Sequence, residues 1–478
     1  MAFVLSHRKK ILAGLVFSFL CFFSTRTPAA TPDDFKTQEY WNSTGLEIIN
    51  AASAYAQGYT GQGIALGIMD TPVLVSHPEL AGKVLAVLLP AGYPLGDWSR
   101  DSHGTHVAGI MVAASNGVGM EGVAFDADLY SVGLDLREGV QQLAMPDFLS
   151  FFSALPNVKI INNSWGNSSF PYEVNDNVQR MRSMLQGDTE YTYLSQLVLN
   201  YDKLMVFAAG NAGHQSPQLE GILPRYNPAL TGWINVVSID PAAITIDANG
   251  QLTGDVQTAS IFSNLATGAQ LFTVAAPGSN INSLDAISGT GYRLMSGTSM
   301  AAPYVSGALG LVQQAFPWMT SKQLADAVLT TADNSTNQRF IPPTYTITME
   351  ETQTSPTLTT ERIIVYYINK PVSTNVQADL EGYYAKNSVA LKKYYSINSL
   401  EDFLSVYAGT YATMNEAGAT VVTSTAGLAQ TVAFEDVFGQ GILNVGLAVR
   451  GPAILDANRL ASTDYSATYH CALYGVNT

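Results

Sequence analysis

Short apolar runs recur along the chain with little polar interruption: Ile64 to Met69, Leu129 to Leu134, Val158 to Ile161, Leu204 to Ala209, Ile234 to Ile239 and Phe272 to Ala276. Runs of this length without clean alternation suit strands buried on both faces, as in a parallel sheet. Between them, His103–Ala114, Asn177–Leu199 and Met300–Phe316 read as helices. Leu46, Ile48, Ile49, Ala54 and Tyr55 fall at near-helical spacing, before Gly58, Gly61 and Gly63 break the chain. Strand and helix in alternation predict an α/β layered fold with a mainly parallel central sheet.

Two stretches depart from that rhythm. Residues 335–434 are Thr-rich and β-prone: eight Thr fall between 344 and 360, followed by the strand-like Ile363–Ile368 and by Tyr383, Tyr384, Tyr394 and Tyr395. This reads as a β-rich insertion without a catalytic motif. At the N-terminus, Arg8-Lys9-Lys10 precede an apolar run from Ile11 to Phe23, and Pro28-Ala29-Ala30 supply small residues. That is the layout of a secretory signal peptide over 1–30, too short in its apolar part to span a bilayer. The expected organisation is 1–30 leader, 31–334 catalytic domain, 335–434 insertion, 435–452 return to the domain and 453–478 tail.

Composition narrows the function. Apolar residues make up 47% and charged residues 13%, enough apolar surface to fold. The formal charge of −15 argues against a nucleic-acid partner, which would need surplus cations. Loss of 1–30 removes Arg8, Lys9, Lys10 and Arg26 and moves the charge to −19. Cys21 would go too, leaving Cys471 alone, so neither a disulfide framework nor a Cys-based zinc site is expected.

The polar ends of the elements carry the chemistry. Asp70 closes an apolar run, His103 opens a helix in Ser102-His103-Gly104-Thr105-His106-Val107-Ala108-Gly109, and Ser299 opens another in Gly297-Thr298-Ser299-Met300-Ala301-Ala302-Pro303. Serine needs an imidazole to take its proton and a carboxylate to orient that imidazole. These blocks, in this order, resemble the subtilisin-like serine proteases, the subtilase family. The resemblance implies a three-layer subtilisin-like fold in which Asp70 orients, His103 acts as general base and acid, and Ser299 attacks the scissile carbonyl. His106 is then a structural histidine. A fourth block, Val206 to Gly213, makes Asn211 the oxyanion donor, with the Ser299 N–H beside it.

The same resemblance places Ser164, Trp165 and Gly166 on one wall of the specificity pocket and Ala208, Ala209 and Gly210 on the other. Ala212 nearby is uncharged, which favours an apolar residue before the scissile bond. Some relatives hold structural calcium at positions matching Glu79 and Asn116; one carboxylate and one amide make a thin ligand set, and a metal-free loop is expected. Pro72 and Tyr304 stand where the family usually has Gly and His. The expected activity is an exported endopeptidase, secreted, at the cell surface or periplasmic, acting on polypeptides with no cofactor for chemistry. A serine-carboxyl peptidase would need Glu for His103 and Asp for Asn211. A catalytically silent exported binding domain, acting through 335–434, is the rival from another class. Phe316-Pro317-Trp318-Met319-Thr320 and Ala448-Val449-Arg450-Gly451-Pro452 resemble autotransporter passengers. That leaves two readings: a passenger whose C-terminal outer-membrane barrel is missing, or a secreted relative without one.

Overall fold

The computed structural model describes residues 30–90, 102–134, 143–166, 178–212, 216–246, 252–254, 259–260, 262–333, 344–355, 358–368, 384–385, 388, 399–401, 410–415, 418–423, 429–430 and 434–453. Residues 1–29 of the expected 1–30 leader, residues 454–478 of the expected 453–478 tail, Tyr383, Tyr394, Tyr395 and both cysteines lie outside them.

Seven strands form the central sheet: β1 (Ala65–Asp70), β2 (Val84–Leu88), β3 (Asp128–Gly133), β4 (Val158–Asn163), β5 (Leu204–Ala208), β6 (Trp233–Ile239) and β7 (Thr273–Pro277). Their order is β2-β3-β1-β4-β5-β6-β7, and every neighbouring pair is parallel. The six apolar runs all became strands of this sheet. A seventh strand, β2, was not expected although Val84 to Leu88 is itself a continuous apolar run; it is an edge strand of the sheet and only partly buried.

Successive side chains on a strand point to opposite faces, and the buried clusters follow that rule. On one face, Val206 and Ala208 of β5 join Leu66, Ile68, Ile234 and Val236 against two helices, α1 (His103–Val112) and α6 (Thr298–Ala315). On the other, Met205 and Phe207 meet Phe148, Phe152, Leu194 and Leu197. Those come from α2 (Met145–Ser153) and α4 (Thr189–Tyr201). Phe207 also stacks on Trp233 at 4.9 Å between centroids. Helix, sheet and helix are the three layers of a subtilisin-like α/β fold.

α6 is apolar nearly all round because it is enclosed; Thr298 to Gln313 are all buried. The expected helix over Asn177–Leu199 is instead two, α3 (Val178–Leu185) and α4; Asn177 itself lies outside the described residues. The break at Gly187-Asp188 has a local cause: the Asp188 carboxylate accepts the Tyr191 N–H at 2.8 Å and caps the second helix. α5 (Leu219–Tyr226) leads into β6, and α7 (Ser321–Thr331) follows α6. A hairpin, β8 (Ile281–Asp285) with β9 (Gly291–Met295), stands beside α1. Farther on, Thr344–Ser355 and Leu358–Ile368 pair as a long antiparallel hairpin. The chain then returns to the core at Val437, Phe438, Ile442 and Leu443, where Ile442 bridges to Ala275 and Asp333.

Candidate active site

In an open α/β sheet, ligand sites form outside the carboxyl ends of strands where the strand order reverses. Here that place is β1, flanked by β3 on one side and β4 on the other. Asp70 is its last residue and is 2% exposed. Its Oδ1 accepts the Thr71 N–H at 2.7 Å and faces His103 Nδ1 at 2.6 Å. The helix carrying His103 is pressed onto the turn after β1. The Gly104 N–H donates to Thr71 Oγ1 at 2.8 Å, and a Cβ on Gly104 would stand 1.8 Å from the Thr71 carbonyl oxygen. Only glycine permits that approach. A carboxylate on Nδ1–H fixes the tautomer and leaves Nε2 as the basic nitrogen.

Ser299 lies in the first turn of α6. Pro303, four residues on, has no N–H to bond the Ser299 carbonyl, which would otherwise be orphaned. Ser164 compensates: its hydroxyl donates to Ser299 O at 2.9 Å, while the Ser299 hydroxyl donates to Ser164 O at 3.1 Å. Ser164 follows directly on β4, and the register pairs Met69 with Asn163, one residue before Asp70 and Ser164 respectively. Strand pairing therefore brings the nucleophile candidate to the strand beside Asp70. Behind it, Ser306 Oγ donates to Asn162 Oδ1 at 2.8 Å and Asn162 Nδ2 to Ser164 Oγ at 2.9 Å, both within the core. Sequence reasoning missed these roles for Asn162 and Ser306, which sit 144 positions apart.

Asn211, exposed just beyond β5, is oriented by Thr298. Its Oδ1 accepts both the Thr298 N–H at 2.8 Å and the Thr298 hydroxyl at 2.9 Å, leaving the NH2 as the outward donor. A Cβ on Gly297 would stand 3.4 Å from Asn211 Nδ2 and 3.5 Å from Ser299 N, so both donors border one small space. The Ser299 N–H has no partner among the described residues, as expected in the first turn of a helix. Two convergent N–H donors beside a serine hydroxyl suit a developing oxyanion.

The residues expected to wall the pocket lie where the adjacent strands β4 and β5 end: Ser164 to Gly166 follow β4, and Ala208 closes β5 with Ala209 and Gly210 after it. Trp165 packs its ring edge-on against Phe207 at 5.5 Å. What it offers the wall is its carbonyl, which accepts from Gln218 Nε2. His106 is fully buried, with Nε2 shared between the carbonyls of Ile281 and Arg293 at 3.1 and 3.0 Å. Burial pushes its pKa down to about 4, so it stays neutral. Tyr304 donates to Ser43 O at 2.7 Å and tethers the N-terminal segment to α6.

The Glu79 and Asn116 pair does not suit a calcium ion. Glu79 Oε1 accepts the Tyr292 hydroxyl at 2.6 Å and Oε2 the Asn116 amide at 2.9 Å. Asn116 Oδ1 is turned to the Val118 N–H, and Glu39 accepts the N–H groups of Asn116 and Gly117. Oxygens facing this many N–H and O–H donors make a poor cage for a cation that wants six to eight oxygens.

A parallel sheet with these groups gathered at the carboxyl ends of its strands defines an α/β protein equipped for serine-based acyl transfer. The family model described as "Subtilase family" matches residues 61–346, more than half of the chain. An "Extracellular serine protease" of Serratia marcescens is 33% identical over 364 residues, 63% of this chain and 32% of its own length. "Subtilisin E" of Bacillus subtilis (strain 168) is 30% identical over 311 residues, 64% of this chain and 70% of its own. Among solved structures, "Prenylagaramide maturation protease PagA" matches 59% of this chain and 88% of its own at 21% identity, with a TM-score of 0.44. The chain thus spans about a third of the length of the Serratia protease it matches. It belongs to the subtilase family.

Proposed function

We propose that this chain hydrolyses polypeptides through an acyl-enzyme on Ser299, after export from the cell. The observation that carries the reading is the 2.6 Å contact of Asp70 with His103 at the carboxyl end of the sheet, where Ser299 also lies with an N–H that has no partner among the described residues. His103 Nε2 takes the Ser299 proton as Oγ attacks the scissile carbonyl, and Asp70 steadies the imidazolium. The Asn211 amide and Ser299 N–H hold the oxyanion. Collapse breaks the C–N bond, and the leaving amine takes the proton from His103. Water, deprotonated by the same imidazole, then frees the acid and restores Ser299. In the resting site the Ser299 hydroxyl rests on Ser164 O; substrate would turn it to His103, since catalytic hydrogen bonds often tighten only in the complex.

The substrate segment is read as an added strand between 164–166 and 208–210. The 335–434 segment is read as an insertion, supported by the return of Val437 to Leu443 to the core. Export is supported by the leader pattern and by the printed name of the Serratia relative. A fluorophosphonate probe should label the purified protein and leave Ser299→Ala unlabelled; equal labelling of both would refute the assignment. Secreted material should begin at Thr31, and an intact Met1 start would count against the leader.

A further inference from the structure

We propose that Gln218 is the floor of the pocket that receives the residue before the scissile bond, and that it restricts that residue to small, uncharged side chains. The inference rests on the endopeptidase reading above. With the acyl carbon at Ser299 Oγ and its oxygen near Asn211 Nδ2, the preceding residue lies alongside Ser164–Gly166 and Ala208–Gly210. Gly166 and Gly210 open a trough between those segments by having no side chains. Gln218 fills it.

Its backbone N–H is tied to Ala209 O at 2.8 Å. Its Nε2 donates to Trp165 O at 3.0 Å and Ala208 O at 2.9 Å, one carbonyl from each wall. A Cβ placed on Gly166 would fall 2.0 Å from Nε2 and 2.7 Å from Oε1 of Gln218; one on Gly210 would fall 3.2 Å from the same Oε1. The amide therefore occupies the volume between the two glycines. It is 8% exposed and begins α5 as its N-cap residue, so three hydrogen bonds and the helix start hold it in place. Both amide hydrogens are spent on the walls, so the group presented at the floor is a neutral amide. Behind Gly210, Asn264 Nδ2 would lie 2.5 Å from an added Cβ and donates to Ala209 O at 3.0 Å, backing the same wall. A long aliphatic, aromatic or charged side chain would have to expel Gln218 and strand two carbonyls.

The test uses full-length protein whose active sites have been counted with a fluorophosphonate probe, and peptides that differ only in the residue before the cleaved bond. Wild type should cleave after Ala or Ser at least about tenfold better in kcat/KM than after Leu, Phe or Lys. Gln218→Ala should raise the Phe-to-Ala ratio by about tenfold or more, whereas Gln218→Met, which keeps the volume and loses the hydrogen bonds, should keep the small-residue preference. Wild type that is fully labelled yet cleaves after Phe or Lys as well as after Ala overturns the proposal, whether or not Gln218→Ala folds. An unchanged ratio in folded Gln218→Ala overturns it too. Absence of labelling would instead strike the endopeptidase reading.

Discussion

Asp70 and Glu79 are both buried carboxylates close together in sequence, and their surroundings give them opposite uses. Asp70 faces an imidazole, a partner that can take up a second proton and then be stabilised by the negative charge beside it. Glu79 faces a phenol and an amide, neither of which changes charge under ordinary conditions. Burial, the larger influence, raises the Glu79 pKa above its ordinary value, while the Tyr292 and Asn116 hydrogen bonds partly oppose it. The identity of the donor decides whether a buried carboxylate takes part in proton transfer or only fastens a loop.

That contrast can be broken first at Asp70. Asp70→Asn keeps the size but can hold the imidazole in the wrong tautomer, so kcat should fall by about 10⁴-fold while the fold is retained. Turnover within tenfold of wild type, with unchanged circular dichroism, would show that the carboxylate charge is not used. Next comes Asn211→Ala, which removes one of the two proposed oxyanion donors and should lower kcat by about 10²–10³-fold with little change in KM. A rise in KM alone would place Asn211 in substrate binding.

The two histidines of α1 repeat the comparison one turn apart. His103 is partly exposed against a carboxylate; His106 is enclosed between two carbonyls. His103→Ala should lose peptidase activity and keep its unfolding midpoint. His106→Ala leaves the Ile281 and Arg293 carbonyls short of a donor and opens a cavity, so urea unfolding should report a loss of about 2–4 kcal/mol. A stable His106→Ala variant with lost turnover would invert the two roles.

The sheet was legible because strands buried on both faces leave continuous apolar runs, and Ile234–Ile239 is a clear case. β2 was missed although Val84–Leu88 is equally apolar; as a partly buried edge strand it shows that an apolar run alone does not tell an edge strand from an enclosed one. α3 and α4 merged in the reading because Gly187-Asp188 interrupts a stretch whose apolar spacing continues past the break. In the site, Asp70, His103, Asn211 and Ser299 stood out because each sits in a compact local block. The groups that hold them did not. Thr298 reaches Asn211 across 87 positions, and Gln218 reaches Trp165 across 53. No spacing rule links such pairs; folding alone brings them together. Pro303 was the one local hint, since a proline inside a helix start implies a carbonyl needing another donor, here supplied by Ser164.

A smaller effect concerns Glu121, which packs near Glu39 on the side of the loop facing the N-terminal segment. Burial pushes its pKa up to about 7, with Glu39 and Asp126 adding to the rise and a Ser115 hydrogen bond opposing it. Its Oε1 has no hydrogen-bond partner among the described residues. A carboxyl whose folded pKa is raised stabilises the fold fully below its unfolded value, near 4.5, and that stabilisation is lost as pH rises through about 7. Unfolding free energy should therefore decline between pH 5 and 8 by on the order of 2 kcal/mol from this group. Glu121→Gln should flatten that decline; an unchanged slope would move its origin to another acid such as Glu190, also raised to about 7.

The smallest expected effect sharpens the reading of Glu79. If Tyr292 and Asn116 satisfy its carboxylate, as their 2.6 and 2.9 Å contacts indicate, the loop from Ser115 to Glu121 needs no ion. EDTA and millimolar calcium should then leave the melting temperature unchanged. An ion bound at a hundred times its Kd would add about 2.7 kcal/mol, a shift easily seen by calorimetry. Tyr292→Phe separates the two explanations further. It removes one neutral donor and should cost about 1 kcal/mol with or without calcium. A loss that calcium restores would mean that the hydroxyl only substitutes for a cation, and that Glu79 is closer to Asp70 in character than its partners imply.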